Sequence, residues 1–447
     1  GDFGPNCSRS RCCLSRGCLP RVSAAMAIMP DGPEEAKTLP QLSVVGWLRL
    51  FGCCAAKFAV SFAVSEAFVL VPLEAESKGT GAAASMAILA AQPVAYVACS
   101  PLAGRWLDER GTKTKAARSR WAPGDAMLVV SLAAVGLGSW LLGVEAWWPS
   151  LLGARLLQGA GGAAGEVAAM VLVAEVFPKE RLPSAEGLLE TATGLGYTLG
   201  LPAAGWLYGG AADETDVFVP FGVGAIICTV ALLCAAFAGE LVHRRPQCAW
   251  PEGDGCTDEP EEFAQQLSEG SVLHRTGVLA VGIFLYGALM GDVYASLAIV
   301  NEHTYNLKPA QSGALLMLIA VSYIILCPLI GWVCDGPIEH SRRCLVCGLV
   351  LGILAYAFLA LQPLVFEVVG LLVLGVSEAM FLIPAWPVLL DLAGGNELEA
   401  AGAVSAVLNT SYLAGESVGP LLSLLLVRSF GFHVTMGMQA VFLAISA

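Results

Sequence analysis

The chain has 447 residues, of which 56% are hydrophobic and 14% charged, with a mean hydropathy of +0.69. Soluble domains carry about 25% charged residues, so this composition excludes a particle covered by its own polar surface and places the chain in a bilayer. The net charge of −13 argues against nucleic acid as a partner, and eight acids sit in one loop (Glu240, Glu252, Asp254, Asp258, Glu259, Glu261, Glu262, Glu269) that reads as a solvated linker.

Residues 1–47 read as an N-terminal cytoplasmic or leader segment; the first 30 hold four arginines, several serines and one acid, as a targeting peptide would. Apolar runs of roughly 20 residues, the length that crosses about 30 Å of hydrocarbon, then follow. They recur at 48–72, 80–103, 125–145, 149–173, 184–209 and 217–240. Six more appear at 275–299, 310–333, 344–362, 366–390, 400–427 and 431–447. The pattern predicts an all-α membrane protein with 12 transmembrane helices in two six-helix halves, 48–240 and 275–447, joined by an acidic cytoplasmic linker at 241–274. Placing the N-terminus inside puts thirteen basic residues on cytoplasmic loops and three (Lys78, Lys308, Arg428) on outside loops, the asymmetry expected of a cytoplasmic N-terminus.

The two halves share a mark. PLAGRWLD at Pro101 to Asp108 returns as PLIGWVCD at Pro328 to Asp335, 227 residues later and again after the second span of its half. Pro, Leu, Gly and Asp recur in the frame P-L-x-G-x-x-x-D, so the chain reads as two copies of one membrane unit. Gly104 and Gly331 let helices approach, and Asp108 and Asp335 stand at equivalent helix ends.

Ionisable residues inside spans are functional candidates because burying a charge in a bilayer is costly. They are Lys57, Glu66, Arg155, Glu166, Glu190, Asp292, Glu378 and Glu416. Lys57 is nine residues before Glu66, half a helical rotation away, and reads as snorkelling to the nearer end. Glu66 and Asp292 are 226 residues apart, within one of the repeat offset, so they are expected to flank a cavity between the halves, with Glu378 as a third acid. Arg155 and Glu166 share a face some 16 Å apart and are not a direct pair. Asn409, Tyr412 and Glu416 share one face of helix eleven. The fifteen cysteines are scattered through apolar segments and the five histidines are dispersed. No metal site and no cofactor is expected, no phosphate-cradling glycine loop argues for ATP, and no nucleophile with its base argues for an enzyme.

Gly104 to Lys113, GRWLDERGTK, resembles the loop between helices two and three of the major facilitator superfamily, G-x-x-x-D-R-x-G-R-K. Gly104, Asp108, Gly111 and Lys113 match, while Glu109 and Thr112 depart; the resemblance implies a carboxylate ringed by cations that latches the cytoplasmic side. RLLQGAGG at Arg155 to Gly162 resembles the family's helix four. Gly194, Gly196, Gly200, Pro202, Gly205 and Gly209 resemble the glycine-proline helix five of its antiporters, with a kink expected at Pro202. GVSEAMFLIPAWPVLLD (Gly375 to Asp391) and NTSYLAGESVGPLLSLLLVRSFGF (Asn409 to Phe432) look like helices ten and eleven of the vesicular amine transporter family, most like its polyamine branch.

The resemblance implies a major facilitator fold and proton-driven antiport of an organic cation such as a polyamine, by a monomer in an acidic intracellular vesicle or the plasma membrane. Asn409 stands where the monoamine and acetylcholine transporters carry a carboxylate, which leaves room for another cation. On this reading Glu66, Asp292 and Glu378 bind a cationic small molecule and at least one of them cycles a proton, Arg155 orients its neighbours, and Asn409 and Glu416 line helix eleven. Gly104, Asp108, Gly111, Lys113, Gly331, Asp335, Gly200 and Pro202 serve gating and packing. The alternatives are a drug or metabolite exporter or a symporter with a neutral or anionic substrate held by Arg155, and, from another class, a non-transporting receptor-like paralogue.

Overall fold

The computed structural model describes residues 44–77, 82–114, 122–144, 148–209, 218–244, 269–305, 309–394 and 397–446. Residues 1–43, the acidic stretch 245–268 and the cations at 115–120 lie outside the described residues. Among those described there is no strand. The helices are α1 (Val44–Ser77), α2 (Ala82–Thr114), α3 (Pro123–Val144), α4 (Trp148–Ala174), α5 (Leu182–Gly209) and α6 (Phe218–Arg244). They continue as α7 (Glu269–Tyr305), α8 (Pro309–Cys334), α9 (Ile338–Leu359), α10 (Leu364–Ala393), α11 (Glu397–Phe430) and α12 (Phe432–Ser446).

Ten of these helices are long and apolar enough to cross a membrane. In α5 the glycines and the acids Glu186 and Glu190 dilute its apolar surface, and α12 has 15 residues. Several helices overrun their apolar runs. α7 begins at Glu269, inside the stretch expected to be linker, because a helix satisfies its own backbone hydrogen bonds and continues through a polar turn once it has left hydrocarbon.

Within the first half α1 packs on α4, α5 and α6, α3 on α4 and α6, and α2 on α4. In the second half α7 packs on α11, α8 and α9 on α10, and α9 on α12. The halves meet where α5 crosses α8 and α2 crosses α11, with α4 also touching α11 and α5 touching α10. One apolar core runs through both halves, from Val60, Leu132 and Met170 to Ile283, Leu374 and Trp386. Leu102, Val130, Phe237, Ile325, Trp332 and Val350 face outward, which in water would be an aggregation surface and in lipid is the ordinary exterior.

Part of the buried polarity is paired between helices. Arg49 of α1 binds Asp125 of α3 at 2.9 Å and Glu175, just beyond α4, at 3.2 Å, tying three helix ends together. In the second half Tyr286 stacks on Phe381 with centroids 4.6 Å apart, and its hydroxyl meets Ser377 Oγ at 2.9 Å.

Candidate functional site

Two groups of residues span the meeting of the halves. The first lies at the α2 and α8 ends. Asp108 Oδ1 accepts the backbone N–H of Gly402 at 2.9 Å, and Oδ2 accepts that of Ala403 at 2.8 Å. Its repeat mate Asp335 accepts the Ser184 N–H at 3.1 Å and the Ser184 hydroxyl at 2.7 Å. Asp108 and Asp335 are 227 residues apart, and Ser184 and Gly402 are 218 apart; Pro202 and Pro420 share that second spacing. Each half thus docks its second helix on the fifth helix of the other. A further bond crosses the seam, from Gly336 N–H to the Glu180 carbonyl at 2.7 Å, with Gly336 at φ +104°.

The close approach depends on glycine. A Cβ on Gly104 would lie 2.4 Å from the Gly402 carbonyl oxygen, and one on Gly331 2.6 Å from that of Pro183. Arg105 pairs with Glu109 at 2.9 Å and Arg110 lies over the Trp106 ring at 4.6 Å, while Asp108 accepts main-chain N–H groups of α11; the cations expected at 115–120 lie outside the described residues. The surroundings of Gly111 and the side chain of Lys113 lie outside the described residues. Asp335 stands beyond the end of α8; burial pushes its carboxyl above the usual carboxylate range, and the two bonds from Ser184 oppose that shift.

The second group is deeper. Lys57 does not snorkel. Its ammonium is buried between Glu166 of α4 at 2.7 Å and Glu190 of α5 at 2.8 Å, because a carboxylate pair satisfies a buried ammonium better than a long reach to the surface. Glu190 also accepts the Tyr323 hydroxyl of α8 at 2.9 Å, across the halves. In the second half Glu378 accepts the Tyr412 hydroxyl at 2.5 Å. Glu416 and Tyr294 stand within electrostatic reach of Glu378, and Tyr197 of α5 within reach of Glu416 and Glu166. Asn409 reaches Met170 Sδ of α4 at 3.5 Å, which places it at the seam between halves.

Glu66 and Asp292 do not flank this group. Both carboxyl oxygens of Glu66 are buried without a hydrogen-bond partner, against Gly224 of α6. Asp292 accepts from Gln439 of α12. Each acid turns toward the last helix of its own half, so their equivalence in the repeat holds while their direction differs from the expectation. Arg155 is fully buried, donates to Gln158 Oε1 at 2.7 Å and to the Val64 carbonyl at 3.4 Å, and lies over Phe68. Gly200 abuts Phe62 and Ser65 of α1, and Pro202 lies within the continuous helix α5. Sequence reasoning named Lys57, Glu166 and Glu190 as buried charges but left them out of the site, and it passed over Tyr323 and Glu186. A lone lysine in an apolar run, with acids in two other runs, was the available signal.

The profile of the Major Facilitator Superfamily matches residues 53–339 and 279–447. The chain is 27% identical to the MFS-type transporter SLC18B1 of Homo sapiens over 303 residues, 65% of this chain and 62% of that protein; it thus spans less than two thirds of this relative's length. It is 26% identical to the lysophospholipid transporter LplT of Serratia proteamaculans over 284 residues, 60% of this chain and 63% of that one. Among solved structures, the human organic anion transporter MFSD10 superposes with a TM-score of 0.64 at 15% identity, covering 90% of this chain and 97% of that one. FucP in the outward conformation gives 0.65 at 12% identity, with 90% and 97% covered; these two likenesses speak to the fold alone. The twelve α-helices among the described residues, the duplicated docking and the profile spanning both halves converge: the chain belongs to the Major Facilitator Superfamily.

Proposed function

We propose that this transporter carries an organic cation, such as a polyamine, in exchange for protons. One observation carries the reading: carboxylates outnumber cations in the deep group. Glu166, Glu186 and Glu190 surround Lys57, and Glu378, with Glu416 beside it, lies within electrostatic reach of Glu190; the rings of Tyr294, Tyr323 and Tyr412 stand among them. Acids attract a cation, and aromatic faces hold one. The same acids take up protons when the cation leaves, so the two compete for one set of groups, which is the requirement for exchange. Glu378, bonded to Tyr412 and beside Glu416, is the acid we assign to this competition. We place the N-terminus on the cytoplasmic side and the protein, as a monomer, in an acidic vesicle or the plasma membrane. The docked Asp108 and Asp335 end is then the cytoplasmic end.

The test is uptake of labelled spermidine into proteoliposomes holding the purified chain under an inside-acid gradient. Uptake should vanish when an ionophore collapses the gradient, and Glu378→Gln should lower gradient-driven uptake at least about tenfold, the scale of a coupling energy. Uptake that ignores the gradient would remove proton exchange from the reading.

A second reading, an anionic substrate, has its own observation: Nε and Nη2 of the buried Arg155 have no hydrogen-bond partner. Competition of spermidine uptake by organic anions rather than by other amines would favour it.

A further inference from the structure

Lys57 has more acids around it than it can bind. Its side chain is 2% exposed, whereas Glu166 and Glu190 keep 12% and 21%. The ammonium therefore fills the inner side of the carboxylate pair, and the pair keeps an open side. One turn before Glu190 on α5 stands Glu186, itself 2% exposed. Its Oε2 has no hydrogen-bond partner, and it lies within electrostatic reach of Lys57. Three carboxylates surround one cation, and that cation bonds two of them. Other titratable groups within electrostatic reach of the pair include Tyr96 of α2, Tyr197 of α5, Tyr323 and Cys327 of α8 and Glu378 of α10.

We propose that Lys57 is a tethered stand-in for the terminal ammonium of the substrate. Glu166 and Glu190 form a subsite for an alkylammonium group, occupied by Lys57 while the transporter is empty. An arriving substrate ammonium takes that place from the open side, and Lys57 moves one turn along α5 to Glu186. This rests on the cation reading above and sharpens it.

Three physical points support the exchange. A buried ammonium left without a carboxylate is strongly unfavourable, so a movable lysine needs a second seat, and Glu186 supplies it. A lysine side chain is a chain of methylenes ending in an ammonium, chemically the aminobutyl arm of spermidine, so a slot shaped to the one admits the other. Finally, Glu190 also holds Tyr323 of the opposite half, so the identity of the cation on Glu190 is felt across the seam that must move.

The experiment is equilibrium binding of spermidine to the purified full chain in lipid nanodiscs. Glu186→Gln leaves the resting pairs intact and removes the second seat; it should weaken spermidine binding about tenfold, because the binding-competent population falls. Lys57→Ala should keep or raise spermidine affinity and gain binding of n-butylammonium, which the wild type ignores. Loss of spermidine binding in Lys57→Ala, matching Glu190→Gln, would show a merely structural ion pair and overturn the proposal. If Lys57→Ala does not fold, Glu186→Gln decides alone: unchanged affinity overturns the proposal. Wild-type protein with no affinity for spermidine overturns the cation reading itself, whereas wild-type binding with an unchanged Glu186→Gln variant overturns only this inference.

Discussion

Asp108 shows how a single side chain can be legible in role and illegible in partner. Its place in a duplicated P-L-x-G-x-x-x-D frame marks it as a docking acid, but the groups it binds are two main-chain N–H donors 294 and 295 residues away, and backbone donors leave no trace in composition. Glycine gives the indirect clue, since Gly104 and Gly402 face one another too closely for any Cβ. Glu66 and Asp292 show the opposite case. Their spacing put them at matching depths, but depth does not fix azimuth, and each turns to its own peripheral helix. We predict that Asp108→Ala will speed amide hydrogen exchange at Gly402 and Ala403 at least about tenfold, the loss of roughly 1.5–3 kcal/mol for bonds to a charged acceptor. Unchanged protection there, measured by mass spectrometry on the 397–408 segment, would contradict the docking role.

Among the elements, α5 does the most varied work. Its N-terminal turn receives Asp335, its middle presents Glu186 and Glu190, and its glycine face lies against α1 and α8. The sequence displayed the glycines and Pro202, which sufficed to place a closely packed helix. It could not say which neighbour each glycine met, because that depends on the rotation of α5 about its axis. A Cβ on Gly200 would lie 2.1 Å from Ser65 Oγ and 2.8 Å from the Phe62 carbonyl. The hydroxyl can rotate away, but the carbonyl belongs to α1 and cannot. Gly200→Val is therefore expected to cost about 1–3 kcal/mol, the usual scale of overpacking, and to lower the unfolding temperature in detergent by about 1–3 °C. An unaltered melting curve would mean that α1 and α5 separate without penalty.

At the scale of the whole molecule, the fold class was the most legible feature, since twelve apolar runs and one repeat offset leave few architectures. The ion cluster was the least legible. It draws Lys57, Glu166, Glu190, Tyr323 and Glu378 from helices 1, 4, 5, 8 and 10, and no local pattern links residues so far apart. Both docking acids act at one end, so each biases the same equilibrium between closed and open. That Asp108 holds the α2 and α11 seam through two main-chain N–H groups, at 2.9 and 2.8 Å, has a consequence for the solvent. Mobile ions screen exposed charge pairs over about 10 Å at 0.1 M ionic strength but do little to a short, part-buried hydrogen bond. This seam should stay shut when salt is raised to molar levels. Hydrogen exchange at Gly402 and Ala403 is expected to be flat with ionic strength, and a steep rise would reveal a cationic latch after all.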